Sequence, residues 1–507
     1  MDSKEYILTQ DIGIYSCKAA LFSFEGETIC TNRVDYTPNI VPGSCSTQPP
    51  ATWWNAFCLN CRKLLRNVPA NSVKAVCVSG QMMGCLSLGR DGQPLYDHIT
   101  WDDRRDADQI NKIQSLLSAD TIHSITGICL SYMFSLPKIM WLREHFPDIY
   151  QNTWKFIQCK DYINYRLTGV LATDESDAGF TLMYDLLKKR WSDTILSACE
   201  IDAAKLPEVI PFGTVLGKVT PDASADCGLA QDTLVVEGLG DGRTPTVGSG
   251  LSQKGQGLVY VSSTAWFSQV TDSAQIDQKR ILTKCSYTNP ELLLNGGTVL
   301  SAGHSIDWFV NAFYPASKST HLHRRQELFA RMNHVPIGSN GLLFIPHLRG
   351  ERTPWWNNFA KGSFVGLASY HTQDDLFRSV IEGVSFQLAL VCNSIQELEP
   401  FSSLYFSGSQ ATPQWQQLLS DIFDMEIVTS DIKSIIGCVG AAVTAGIGLG
   451  IYSGPSAAHQ FHHNYFYTSP IKENVELYRE LIPVFEDCYN ALRDINQYLS
   501  HMCRNQN

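Results

Sequence analysis

The 507-residue sequence lacks an apolar run long enough to cross a membrane. Its longest weakly polar stretch, residues 437–452, is rich in glycine and falls about one turn short of the roughly 20 residues that a spanning helix needs. This stretch therefore predicts a buried helix of a water-soluble protein. The first residues also lack the charged and apolar regions of a secretory signal, and we expect a cytoplasmic protein.

Basic residues are too few for a protein whose main task is to bind nucleic acid or an anionic membrane. The chain has 39 Lys and Arg against 50 Asp and Glu, a formal net charge of −11. Low-complexity tracts are also absent, and the 44% hydrophobic content is typical of a globular protein. We expect small-molecule ligands, with neither nucleic acid nor a membrane as a partner.

The 16 cysteines show no clustering that would indicate a disulfide scaffold. The one CxxC, residues 58–61, lies in a helical pattern of apolar positions and has no two further metal ligands nearby. We interpret these cysteines as reduced thiols that pack as small hydrophobic side chains.

Two parts of the chain share one order of predicted elements. Each has a series of three strands, then a helix, then a further strand. In the first part the three strands lie in residues 6–29, the helix in 54–65 and the further strand in 73–78. In the second part the three strands lie in residues 257–287, the third of them at Ile281–Tyr287, the helix lies in 381–398 and the further strand in 404–406. A turn-rich stretch separates the two parts. We predict two α/β domains, residues 1–250 and 251–507, that face a common cleft able to hold a charged ligand.

Two acidic residues lie beside glycine directly after predicted strands. Asp11 is followed by Gly13, and Asp241 lies within Gly238-Leu239-Gly240-Asp241-Gly242. A carboxylate beside open backbone N–H groups suits a phosphate bound to Mg²⁺. A carboxylate at the second place can accept a proton from a hydroxyl that attacks phosphorus. Taken alone, each motif is also a common turn.

Other strand ends carry groups that suit a hydroxylated ligand. These are Ser79-Gly80-Gln81-Met82-Met83-Gly84, Trp101-Asp102-Asp103-Arg104-Arg105, the hydroxyl-rich turn Ser262-Ser263-Thr264, and Arg349-Gly350-Glu351-Arg352-Thr353-Pro354. Each alone is explained equally well as a turn or a surface ion-pair cluster. Their joint occurrence in this order favours a binding function.

In these motifs the sequence resembles the FGGY family of carbohydrate kinases, and most closely its xylulokinase-like branch. The resemblance covers nearly the whole chain, including residues 361–367, 382–384 and 408–415. It implies an α/β fold of two ribonuclease-H-like, actin-like ATPase lobes around a central cleft. It also implies transfer of the γ-phosphate of ATP to a hydroxyl of a small sugar, for which a ketopentose such as D-xylulose is the first expectation.

The resemblance also implies a role for individual residues. Asp241 matches the catalytic base, and Asp11 matches the carboxylate that organises Mg²⁺. The positions that match sugar contacts are Gln81, Met82, Trp101 and Asp103. The positions that match nucleotide contacts are Gly13, Ser263, Gly303, Gly408 and Ser409. ATP and Mg²⁺ are the expected cofactors, and a homodimer is expected only because dimers are common in this family.

The sequence departs from the family pattern in both phosphate loops. Ile14 stands where a threonine is usual, and Ser262 stands where a glycine is usual. Loss of one hydroxyl donor to a phosphate costs on the order of 1–3 kcal/mol, which weakens nucleotide binding without abolishing it. We therefore expect an active kinase. The alternatives are a kinase for gluconate, another ketose or a polyol, a pseudokinase that binds without turnover, and an actin-like ATPase.

Overall fold

The structure, a computed structural model, describes residues 4–41, 45–289, 291–314 and 318–504. The chain divides into two compact units. Unit 1 comprises Met1–Gln253, Asp272–Leu294 and Ile435–His463, and unit 2 comprises Lys254–Thr271, Asn295–Ser434 and Asn464–Asn507. The expected division at residue 250 lies close to the first crossing between the units, whereas two later segments return to unit 1.

The strands of the described residues are two to eight residues long. In chain order they are β1 Tyr6–Ile12, β2 Ser16–Ser23, β3 Thr28–Asp35, β4 Asn39–Val41, β5 Cys45–Gln48, β6 Val73–Gly80, β7 Leu86–Leu88, β8 His98–Ile99, β9 Lys155–Ile157, β10 Ala172–Asp174, β11 Tyr184–Asp185, β12 Arg190–Trp191, β13 Glu208–Ile210, β14 Val215–Lys218, β15 Leu234–Val236, β16 Gln256–Val261, β17 Ala265–Thr271, β18 Thr283–Ser286, β19 Leu293–Val299, β20 Leu343–Ile345, β21 Ser363–Val365, β22 Ser403–Ser407, β23 Ile427–Ser430 and β24 Tyr465–Thr468.

The helices alternate with these strands, as in other α/β proteins. In chain order they are α1 Pro50–Leu64, α2 Gln109–Leu116, α3 Ala119–Thr126, α4 Ser135–His145, α5 Pro147–Asn152, α6 Cys159–Thr168, α7 Glu175–Gly179, α8 Asp193–Ala198, α9 Pro221–Cys227, α10 Thr244–Gly248, α11 Gly303–Phe313, α12 Lys318–Arg331, α13 Gln373–Leu398, α14 Pro413–Phe423, α15 Ile436–Gly448 and α16 Lys472–Arg504.

The main sheet of unit 1 has the strand order β14-β15-β6-β1-β2-β3. Its three central strands, β15, β6 and β1, are parallel, and each outer neighbour is antiparallel. Helix α15 packs against β1 and β6, while α1 packs against β2 and β3. Apolar side chains of α1 at three- and four-residue spacing, including Trp53, Phe57 and Cys61, are fully buried. The interpretation of the CxxC as part of the core is thus consistent with the packing.

The second large sheet has the order β18-β19-β17-β16-β22-β23-β24, and its six strands from β19 to β24 repeat the order of the unit 1 sheet. Strands β16, β22 and β23 are parallel, while β17 and β24 are antiparallel to their neighbours β16 and β23. The strand beside β17 is β19, not the predicted Ile281–Tyr287. The segment around β18 belongs to unit 1, where the Lys284 N–H donates to the Gly127 carbonyl. Alternation of apolar residues predicts a strand but not its partner, which explains the difference.

Two helices of unit 1 touch through their backbones. A Cβ atom at Gly440 of α15 would lie 1.9 Å from the Thr244 carbonyl oxygen of α10, and one at Gly248 would lie 2.1 Å from the Ile436 carbonyl oxygen. Glycine at both positions is what permits this close approach. The stretch at 437–452 is thus mainly helix α15, buried as far as Gly446, and the described residues contain no helix long and apolar enough to span a bilayer.

Candidate active site

Three of the predicted site residues lie at one edge of the unit 1 sheet. Asp11 is near the end of β1, Gln81 follows β6, and Asp241 follows β15 after a short glycine-rich loop. The Gln81 N–H donates to the Ile12 carbonyl at 2.8 Å, and the Asp241 N–H donates to the Gly80 carbonyl at 2.9 Å. The three parallel strands therefore hold these residues at their carboxyl ends, where α/β sheets commonly bind ligands.

Asp241 as a residue is partly exposed, but the surroundings of its carboxyl group favour the protonated form. Burial raises its pKa to about 8, and the neighbouring carboxylate of Asp11 adds to the shift. Burial also raises the pKa of Asp11, against the opposing charge of Lys18. Two carboxyl groups that resist ionisation side by side indicate a site that is completed by a cation or a proton donor.

The loop around Asp241 has glycines because a side chain packs directly against it. A Cβ atom at Gly240 would lie 2.5 Å from the Met82 sulfur, and one at Gly242 would lie 3.2 Å from the same atom. Met82 is buried. The two motifs that the sequence presents 160 residues apart are thus in direct contact.

Gln81 belongs to a buried chain of polar side chains. Its Nε2 donates to the Gln48 Oε1 at 2.5 Å, and the same oxygen accepts from the Trp53 Nε1 at 3.2 Å. The Gln81 Oε1 has no hydrogen-bond partner among the described residues. This arrangement fixes the Gln81 amide and leaves its oxygen to accept from a hydroxyl.

Asp103 is fully buried and is already engaged within the protein. Its carboxylate accepts from the Ser46 N–H at 2.6 Å and from the Arg105 N–H and Nε, both at 2.9 Å. The Arg105 Nη2 completes the ion pair at 2.8 Å. The aspartate thus holds the turn that carries Trp101, which is partly exposed.

Gly13 lies in the tight turn between β1 and β2. Its N–H donates to the Ser16 carbonyl at 2.9 Å, and its own carbonyl accepts from the Tyr36 hydroxyl at 2.7 Å. The next carbonyl, that of Ile14, accepts from the Gln48 Nε2 at 2.6 Å. The turn is thus held through its backbone, and the same Gln48 connects it to Gln81.

In unit 2 the structure brings together four of the five predicted nucleotide residues, Gly13 being in unit 1. Ser263 lies in the exposed turn between β16 and β17, and its carbonyl accepts from the His304 N–H at 2.9 Å. The Gly303 N–H donates to the Ser262 carbonyl at 3.0 Å. A Cβ atom at Gly303 would lie 2.1 Å from that carbonyl oxygen, so only glycine permits this contact at the start of α11.

The loop after β22 reaches the same turn. Gly408 has a φ of 115°, and a Cβ atom there would lie 2.2 Å from the Val261 carbonyl oxygen at the end of β16. Gln410 packs against Gly303. Ser409, which lies between Gly408 and Gln410 in the chain, is exposed. Since β16 and β22 are adjacent parallel strands, this edge of unit 2 corresponds to the edge of unit 1 that carries Asp11 and Gln81.

The segment Arg349–Pro354 is a structural part of unit 2. Glu351 is buried, and its Oε1 accepts from the Leu300 N–H at 3.0 Å and from the Arg352 N–H at 2.7 Å. Burial raises the pKa of Glu351 to about 8.

Sequence reasoning missed a buried ion cluster in unit 1. Lys160 is fully buried, and its Nζ lies 2.6–3.1 Å from oxygens of four buried carboxylates, those of Asp161, Asp174, Asp177 and Glu237. Burial lowers the pKa of Lys160, but the carboxylates outweigh this and hold it well above its usual value. The visible sign in the sequence was only a Lys-Asp pair at the start of a helix.

This cluster supports the Asp241 loop from behind. Glu237 also accepts from the Asn164 Nδ2 at 2.9 Å, and burial raises its pKa to about 7. Asp174 caps α7, where the Ser176 hydroxyl accepts from the Gly240 N–H at 2.9 Å. Glu237 and Gly240, which flank Gly238 and Leu239, therefore form hydrogen bonds or ion pairs with residues of α6 and α7.

Models of known families match both parts of the chain. The N-terminal domain of the FGGY family of carbohydrate kinases matches residues 6–248, and the C-terminal domain of the same family matches residues 262–449. The chain therefore belongs to the FGGY family of carbohydrate kinases. It is a carbohydrate kinase that acts on a sugar and ATP, and the expected α/β class with two actin-like units is confirmed.

Relatives of similar identity differ in the acceptor that their names give. The chain is 27% identical over 506 residues to the xylulose kinase of Bacillus subtilis, covering 99% of this chain and 100% of the relative. It is also 27% identical over 503 residues to the gluconokinase of the same organism, covering 97% of each. The crystal structure of ligand-bound xylulose kinase from Lactobacillus acidophilus superimposes with a TM-score of 0.88 at 25% identity, over 96% of this chain and 98% of that one.

Proposed function

We propose that this kinase phosphorylates a neutral ketopentose, with D-xylulose as the preferred acceptor, and that Mg²⁺ accompanies ATP. The observation that carries the proposal is the placement of Asp11, Gln81 and Asp241 at the carboxyl ends of three adjacent parallel strands. An acid, an amide and a second acid at one sheet edge suit an attacking hydroxyl beside a phosphate.

Asp241 acts as the general base in this proposal. Its carboxylate accepts the proton of the sugar hydroxyl as the oxygen attacks the γ-phosphorus, while the bond between that phosphorus and the bridging oxygen of ADP breaks. The backbone hydrogen bond to Gly80 and the Met82 contact keep the carboxylate in place. Phosphoryl transfer asks a protein mainly for such positioning and for charge stabilisation.

Asp11 is the residue that we propose to hold Mg²⁺. The residues fit this hard cation, since carboxylate oxygens are its preferred protein ligands, and the charge of Asp11 helps to raise the pKa of the neighbouring Asp241. When bound, the ion would offset the negative charge of the phosphates. Gly13 is proposed on the phosphate side because it has no side chain to block an anion, although its own N–H already donates to the Ser16 carbonyl.

Unit 2 supplies the nucleotide contacts in this proposal. The exposed Ser263 suits a phosphate, and Gly303, which packs against the Ser262 carbonyl, is proposed beside the ribose. Gly408 and Ser409 are proposed on the adenine side. Their loop already contacts the turn of Ser263 through Val261 and Gly303.

A neutral sugar is favoured because the proposed sugar contacts carry no free positive charge. Gln81, Met82 and Trp101 are uncharged, and the fourth of these residues, Asp103, is paired with Arg105. We therefore propose Asp103 as a positioning residue for Trp101, not as a direct sugar contact. Gluconate is the second candidate acceptor, and a relative named gluconokinase at equal identity supports it.

A coupled assay of ADP release tests the function. Mg-ATP is offered with D-xylulose, L-xylulose, D-ribulose, gluconate, glycerol or erythritol, and Asp241→Asn is run beside the wild type. We expect release that depends on D-xylulose and falls by at least about a hundredfold in the variant, since general-base catalysis contributes roughly 10²–10⁴-fold.

The exposed Asp232→Asn serves as a matched control that leaves the site intact. Turnover with gluconate instead of D-xylulose would replace the proposed acceptor. No turnover with any acceptor, together with retained ligand binding, would identify a pseudokinase.

A further inference from the structure

A second cavity in unit 1 lies beside the Asp241 loop. It offers about 270 Å³ of space, and its lining includes Ser176, Phe212, Leu239, Arg243, Ser286 and Thr288. None of the side chains that we propose for the sugar, the nucleotide or Mg²⁺ lines it. The cavity is therefore distinct from the proposed catalytic groups, although Leu239 and Arg243 belong to the same loop as Asp241.

Three buried polar groups on the cavity wall have unused hydrogen-bonding capacity. Arg243 is 5% exposed, with its guanidinium 4.7 Å from the centre of the Phe180 ring, and its Nε has no partner among the described residues. The hydroxyls of Ser286 and Thr288, 7% and 9% exposed, likewise have none there. Native proteins rarely leave buried polar atoms unsatisfied, because each costs on the order of 1–3 kcal/mol.

The three groups can all donate, and one of them is permanently charged. A guanidinium has no acceptor and its planar fork matches a carboxylate or a phosphate. Arg243 forms only a 3.2 Å hydrogen bond, from Nη1 to the Gly242 carbonyl, and no ion pair with a described residue. Its charge is thus available to an anion.

Two acids also line the cavity, and neither cancels this charge. Asp174 is held by Lys160 at 3.0 Å and accepts from the N–H groups of Ser176 and Asp177, so its charge is already balanced. Glu175 is partly exposed and can accept from hydroxyl groups of a ligand. The face of Phe212 adds an apolar wall.

We infer that this cavity is a second ligand site, which takes the oxyanion group of a hydroxylated small molecule, such as a sugar phosphate or a sugar acid. The anion is bound by Arg243 and by the hydroxyls of Ser286 and Thr288. The ligand also meets Ser176, whose hydroxyl accepts from the Gly240 N–H next to Asp241.

Calorimetric titration of the full-length protein tests the inference, with inorganic phosphate and acetate as probes. The titrations contain EDTA and no nucleotide or sugar, and chloride keeps the ionic strength constant. We expect saturable binding of at least one probe, and affinity reduced at least tenfold by Arg243→Gln and by Thr288→Val. Tighter binding of phosphate indicates a sugar phosphate, and tighter binding of acetate indicates a sugar acid.

Arg33→Gln is the matched control, since it removes one exposed arginine of unit 1 that is paired with Asp35. Thr288→Val keeps the side-chain shape, which guards against a folding defect of Arg243→Gln. Equal binding by all variants, or no saturable binding of either probe, overturns the site. Because the titration uses neither ATP nor a sugar, its outcome is independent of the proposed acceptor.

Discussion

At the scale of single residues, Asp241 has to be ionised to accept a proton, yet its surroundings raise its pKa to about 8. Burial and the charge of Asp11 both oppose ionisation. A general base with a pKa near the working pH is efficient, because it is available as a base and still has a strong affinity for the proton. Ionisation of the buried Asp241 carboxyl should lower the free energy of unfolding.

We expect Asp241→Asn to stabilise the protein in a pH-dependent way. The folded-state pKa lies above the roughly 4 of an unfolded aspartate, so the ionised carboxylate costs stability. This cost grows as the pH rises from about 4 to about 8 and is constant above that range. Urea unfolding should show a gain near zero at pH 4 and on the order of 1–3 kcal/mol at pH 9.

The exposed Asp232→Asn should show no such trend. If the gain from Asp241→Asn were the same at every pH, its carboxyl would titrate alike in the folded and unfolded chains. The pKa of about 8 would then be wrong.

Substitution of Ile14 tests whether the loss of the usual threonine hydroxyl in the first phosphate loop weakens nucleotide binding. Ile14→Thr adds a hydroxyl beside the Gly13 turn, and one added hydrogen bond is worth about 0.5–1.5 kcal/mol. The KM for ATP should therefore fall roughly two- to tenfold in steady-state kinetics. Ile14→Val, which has the same branching without the hydroxyl, should leave it unchanged. An equal effect of both variants would assign the change to side-chain size.

At the scale of elements, Lys160 joins α6 to α7 and to the end of β15 through four carboxylates. Lys160→Met should cost about 3–5 kcal/mol of stability, because it leaves several buried charges uncompensated. Glu237→Gln should cost much less, since three carboxylates still face the ammonium. Chemical denaturation of both variants measures the difference.

Lys112→Met, at an exposed pair with Glu144, is the surface control and should cost under about 1 kcal/mol. A smaller loss for Lys160→Met than for Glu237→Gln would mean that excess negative charge, and not the lysine, governs the cluster.

The ends of the strands could be predicted from the sequence, whereas contacts between distant elements could not. Asp11, Gln81 and Asp241 follow apolar runs that end on glycine-rich turns, so local pattern alone located the strand ends. Lys160 and Glu237 could not be paired in this way, because 77 residues separate them and nothing local marks a buried charge. The bonds of Asp103 to Ser46 and Arg105 could not be predicted either, because they depend on the folded chain.

At the scale of the whole molecule, unit 1 is assembled from three separate stretches of the chain. The first stretch ends at Gln253, but α15 covers β1 and β6 and is supplied by the last stretch. The sequence-based division, which predicted one domain in residues 1–250, could not show that two later segments of the chain also belong to unit 1. Helix α15 was recognised as buried without any indication of the sheet that it covers.

We therefore expect residues 1–253 expressed alone not to form a cooperative fold. Without α15, the face of β1 and β6 against which this helix packs loses its cover. Differential scanning calorimetry should show no sharp transition, and a dye that binds exposed apolar surface should fluoresce strongly. Full-length protein is the control. A single sharp transition of the fragment would show that the first stretch is self-sufficient.

The return of α15 also has a consequence for synthesis on the ribosome. The stretch that ends at Gln253 is completed only when His463 has been made, which is 463 − 253 = 210 residues later. At about 5–20 residues per second this takes roughly 10–40 s. During that interval the nascent β-sheet is bare on one face, so its apolar side chains stay exposed to other molecules until α15 has been made.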